Sequence, residues 1–153
     1  MLSFEDACRI AATFYPVNEQ GSLDRGRYWF IAVHQIGCIG VVVEKEDGRA
    51  TPLGSSGATD AWLWGYEQGF LEAEEHDLVI TEVLDLDATL NVAKSIARVT
   101  WHDFQKPLPL ILSVTESALV PLFEDRGRSF RWHLQRADTT DPARPAPRRS
   151  PFA

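Results

Sequence analysis

A chain of 153 residues, 44% hydrophobic and 24% charged, is long enough to bury a core as one globular domain. No apolar run approaches the roughly 20 residues of a membrane span. Met1-Leu2-Ser3-Phe4-Glu5-Asp6 lacks the basic region and apolar stretch of a cleaved signal peptide, so a cytoplasmic protein is expected. Cys8 and Cys38 are too few for a disulfide framework and lack metal-ligand spacing, and they read as buried thiols.

In chain order, Ser3 with Asp6 resembles a capping box, and Phe4, Ala7, Cys8, Ala11, Phe14 and Tyr15 recur at helical spacing up to Pro16. Residues 18–26 are polar and contain glycine, which predicts a loop. Arg27 to His34 is β-rich and apolar on both faces, as a central strand is. Gly37 and Gly40 permit a bend before Ile39-Gly40-Val41-Val42-Val43, a buried strand that breaks at Glu46-Asp47-Gly48-Arg49. Asp-Gly suits a hairpin turn, and a short return strand runs from Arg49 to Leu53. Thr59 caps a helix over Ala61–Phe70, with Trp62 and Tyr66 on one side as core. Trp64 points about 200° away from Trp62 on a helical wheel, so it is expected at the surface. Gly65 inside this helix reads as a close approach to the sheet.

Leu78–Val83 reads as a strand, and Asp85 or Asp87 caps a helix running to about Trp101. Leu110–Thr115 and Ala118–Phe123 read as strands, the second at an edge because of Pro121. Arg128–Gln135 alternates polar and apolar residues as a half-buried strand. Residues 137–153 hold four prolines and no aliphatic side chain larger than alanine, a disordered tail. The expected fold is α+β: residues 1–136 as a single domain, an antiparallel sheet of about five to seven strands with three helices packed on it.

Between Arg49 and Lys94 there is no Lys or Arg, against nine acids: Asp60, Glu67, Glu72, Glu74, Glu75, Asp77, Glu82, Asp85 and Asp87. In a chain of net charge −7, this block argues against nucleic acid as a ligand, because phosphate binding needs clustered cations. It suits a basic protein partner, whose encounter such a field accelerates. The same acids also serve as a solvated, solubilising face. An exposed Trp64 beside them reads as a contact anchor.

Residues 3–70 resemble the immunity protein 35 family, small bacterial proteins encoded beside polymorphic toxins. The resemblance lies in the opening helix Ser3–Tyr15, the aromatic strand Tyr28-Trp29-Phe30, and the hairpin Val41–Gly54 with its Asp47-Gly48 turn and closing Leu53-Gly54. It continues in the aromatic helix Trp62-Leu63-Trp64-Gly65-Tyr66-Glu67. Ile36-Gly37-Cys38-Ile39-Gly40 departs from the family's Gly-Asn-Ala-Pro type segment, and residues 71–136 extend beyond what the family has. The resemblance implies a protein without catalytic residues or cofactor that binds and neutralises a cognate toxin.

The residues themselves carry no phosphate-binding glycine loop, nucleophile elbow or paired-cysteine motif. Glu72, Glu74, Glu75, His76 and Asp77 can be drawn as a metal cluster, but neighbours in one link cannot all face one ion. His102-Asp103 reads as a helix-end pair, and His34 and His133 as partly buried strand residues. The leading expectation is an inhibitor that contacts a basic toxin through Trp64, Glu67, Glu72, Glu74, Glu75 and Asp77. The alternatives are a small-molecule-binding or enzymatic domain with a pocket between the sheet and the second helix, and an assembly subunit.

Overall fold

The computed structural model describes residues 1–71 and 74–137. The chain divides into two compact units, Met1–Thr59 and a second beginning at Asp60. Instead of one sheet with three helices, there are two antiparallel sheets, of four and three strands, and four α-helices among the described residues.

The first unit opens with α1 (Phe4–Ala11), capped by Ser3, whose side chain accepts a hydrogen bond from the Asp6 amide. Helix α1 stops short of the expected Tyr15. The Thr13 hydroxyl donates to the Ile10 carbonyl, and the residue before Pro16 is disfavoured in the helical region. Strands β1 (Val17–Asp24), β2 (Tyr28–Gln35), β3 (Cys38–Glu44) and β4 (Ala50–Leu53) follow as a meander, in that spatial order. Helix α1 lays Ala7 and Ala11 on Ile31, Val41 and Val43, all without exposed surface. Small residues on the helix let it approach the β-branched layer closely, and each fully buried Val or Ile stabilises by about 1.5–3 kcal/mol.

Strand β1 corrects the expected loop over 18–26. As an edge strand it keeps polar, exposed side chains, and its register with β2 slips between Asn18 and Leu23. At Gly40 a β-carbon would stand 2.3 Å from the Phe30 ring and 2.7 Å from the Ile31 carbonyl oxygen, so glycine lets that ring cross the strand. Beside the β3–β4 turn, Lys45 reaches the Asp24 carboxylate at 2.6 Å and lies 4.2 Å from the centre of the Trp29 ring.

The second unit carries α2 (Thr59–Gln68), β5 (His76–Val83), α3 (Leu86–Ile96), β6 (Leu110–Val114), α4 (Leu119–Asp125) and β7 (Phe130–Arg136). Its sheet order is β6-β5-β7, with the longest strand central. Asp85, not Asp87, caps α3, accepting from the Ala88 amide at 3.0 Å, and α3 ends at Ile96 rather than near Trp101. Just past the end of α2, Gly69 with φ +108° turns the chain so that the Phe70 amide donates to the Gly65 carbonyl.

Helix α4 replaces the strand expected over Ala118–Phe123. Pro121 lies in the first turn of that helix, where backbone N–H groups have no intrahelical acceptor, so its missing donor costs nothing there. Leu119 and Leu122 are fully buried. Gly65 is close-packed as expected, but against α4: a β-carbon there would meet Leu119 at 3.1–3.2 Å.

Candidate functional site

Residues Trp64 and Gln68, one turn apart on α2, line an open cleft of about 210 Å³ with Arg126, Gly127, Arg131 and Trp132. Trp64 is half-buried, correcting the exposed position read from the helical wheel. Its ring meets Phe123 edge-on at 5.6 Å and Trp132 edge-on at 5.9 Å between centroids. The cover on that side of α2 comes from α4 and β7, and α4 is the element misread as a strand. Edge-to-face contacts fix both indoles while leaving part of each open.

The rim of this cleft is cationic. Arg126 closes α4 in the left-handed conformation, φ 44° and ψ 45°, with its amide donating to the Leu122 carbonyl at 2.7 Å. Its guanidinium lies 4.8 Å from the centre of the Phe123 ring. Arg131 donates from Nη1 to the Gly127 carbonyl. Gly127 has φ +76°, and a β-carbon on it would stand 3.2 Å from that same Nη1, so glycine admits the guanidinium. Arg128 turns the other way, donating to the carbonyls of Asp125 and Glu124 and thereby closing the helix end. Among the described residues neither Arg126 nor Arg131 forms an ion pair.

The acids expected around Trp64 are dispersed. Glu67 is exposed on α2, while Glu74 and Glu75 are half-buried before β5. Glu74 stands 3.9 Å from Arg136, at the mouth of a second hollow of about 150 Å³ that also includes His76 and Leu134. Asp77 is 9% exposed within β5, paired across to Ser113 and Gln135, which leaves little of it for a rim contact. Glu72 lies outside the described residues, as does the expected tail beyond Ala137.

His76 is 3% exposed, edge-on to Phe70 at 5.3 Å, with Nε2 3.2 Å from the Leu71 amide nitrogen. His34 and His133 are exposed, against the partly buried positions expected of them. Cys38 is buried; Cys8 is intermediate, and burial, with the Glu19 charge second, raises its thiol pKa above the ordinary value. No group of three or more His, Cys, Asp or Glu among the described residues is arranged to hold a metal ion. No described helix is long and apolar enough to cross a membrane.

Arg126, Arg131 and Trp132 escaped the sequence reading as site residues. Their signal was the clustering of Arg126, Arg128 and Arg131 well past the acidic block, and the contacts of Trp64 with Phe123 and Trp132 join that segment to α2. The chain matches no protein-family model, no curated protein and no solved structure.

Proposed function

We propose that this chain is a non-catalytic binding protein that engages and neutralises a cognate bacterial toxin in the cytoplasm. The observation that carries the reading is the cleft at α2 and β7, where Trp64 and Trp132 are held half-buried under an arginine rim. Trp and Arg dominate the energetics of protein–protein contacts, and rigid aromatics lose little freedom when covered. The resemblance of residues 3–70 to immunity proteins supplies the kind of partner. Glu67, Glu74 and Glu75 remain the acidic complement to a basic toxin surface.

The test is co-expression with the product of the neighbouring gene. Restored growth and a stoichiometric complex are expected, and unrelieved killing with no complex contradicts the proposal.

The second reading places a small molecule in the same cleft, and its position between sheet and second helix favours it. Size weighs against it, because about 210 Å³ falls below the roughly 300–1,000 Å³ that encloses a drug-sized ligand. Thermal-shift screening against metabolites separates the two, since a ligand that binds only the folded chain raises the melting temperature as its concentration exceeds Kd.

A further inference from the structure

We propose that the cleft between α2 and β7 takes an acidic side chain from a protein partner. The carboxylate sits among the guanidinium groups of Arg126 and Arg131, and a flanking apolar residue lies against Trp64 and Trp132. This rests on the reading of the chain as a partner-binding protein and specifies the partner's chemistry at this point.

The charge decides the sign of the occupant. In a chain of net charge −7, two arginines meet at one cleft without an ion pair among the described residues. Among the described residues the Arg126 guanidinium is engaged by the Phe123 ring face and the Arg131 guanidinium by the Gly127 carbonyl. Each guanidinium has five N–H donors in a planar fork matched to carboxylate geometry, so most of that capacity is directed outward.

The backbone holds this arrangement against its own preference. Arg126 is the one non-glycine residue with positive φ among those described, where glycine or asparagine ordinarily stands. Immediately after it, Gly127 gives Arg131 the space it occupies. A volume of about 210 Å³ admits one amino-acid side chain and is small for a nucleotide. Nucleic acid would in addition need a row of cations along its backbone, and among the residues lining the cleft only Arg126 and Arg131 are cationic.

The experiment follows the Trp indole and Arg Nε–H resonances of the full-length ¹⁵N-labelled chain. The probe is the capped peptide acetyl-Gly-Leu-Glu-Leu-Gly-amide, with its Glu→Gln counterpart, inorganic phosphate and oligothymidylate as the other arms. Saturable shifts at Trp64 and Trp132 with the Glu peptide are expected, at least tenfold weaker with the Gln peptide. They are expected to vanish in Arg126→Gly/Arg131→Gln, a variant that keeps the wild-type melting temperature within a few degrees. Equal binding of the Gln peptide, tighter binding of phosphate or oligothymidylate, or an unaffected double variant overturns the proposal. Peptide binding without any neutralised toxin leaves the cleft chemistry standing and removes the immunity reading. A toxin complex indifferent to both arginine substitutions does the reverse.

Discussion

Trp64 on α2 and Trp132 on β7 meet edge to face, 5.9 Å between centroids and 73° between ring planes. With Phe123 on the other side, Trp64 ties helix, helix and sheet of the second unit together while its exposed edge lines the cleft. Trp64→Ala is therefore expected to cost about 2 kcal/mol, roughly half the loss for a fully buried Trp, because the ring is half-exposed. Trp64→Phe keeps part of the packing and is expected to cost about 1 kcal/mol. Urea denaturation reads both, and equal stability of wild type and Trp64→Ala contradicts the packing role.

Arg126 allows backbone and side chain to be separated. Arg126→Ala keeps a β-carbon in the left-handed conformation and removes the contact with Phe123. Arg126→Gly removes the same contact and relieves the conformation. The Gly variant is expected to be more stable than the Ala variant by about 1 kcal/mol, while both lose partner affinity alike. The reverse stability order in thermal denaturation contradicts this account of the helix end.

At Gly40 the clash is with a ring and a carbonyl. Gly40→Ala is expected to destabilise by about 3 kcal/mol, the upper part of the range for overpacking, because the Ile31 carbonyl in the neighbouring strand cannot rotate away. Phe30→Leu in the same chain should recover part of the loss. A double-mutant cycle with no coupling would show that the ring is not the obstacle.

The Asp24 carboxyl is held below its ordinary value of 3.8, first by the hydrogen bond from Lys45 and then by the Gly26 amide. A folded-state value below the unfolded one means that its stabilising contribution is present above 3.8 and disappears as pH falls through the folded value. Asp24→Asn should therefore lower the melting temperature at neutral pH, with the two curves converging in acid below that point. A gap of constant size down to the most acidic pH measured argues that the charge on Asp24 has no part in it.

Local signals in the chain carried the helices and strands whose own residues dictate them. Ser3 and Asp85 cap as expected, the Val41–Val43 run is a buried strand, and Trp62 and Tyr66 are core. The misreadings arise where pairing or the starting point of an element, rather than local composition, decides the state. Polar residues 17–24 become a strand because β2 pairs with them. Leu119–Asp125 is apolar enough for either state, and Pro121 is tolerated because of where the helix begins. Pairing choices split the strands into two sheets, which no period in the sequence encodes. The site was legible only at Trp64, since Arg126, Arg131 and Trp132 join it through tertiary structure.

In the reading proposed above, the chain holds a protein partner through the Trp64–Trp132 cleft. The most direct test of that reading is affinity capture of tagged full-length chain from the native host in moderate salt, side by side with Arg126→Gly/Arg131→Gln, with mass spectrometry of what is retained. The expected result is one stoichiometric partner on the wild-type chain, lost from the double variant while the variant remains folded. Recovery of the chain alone, or a partner held equally by both forms, would contradict it.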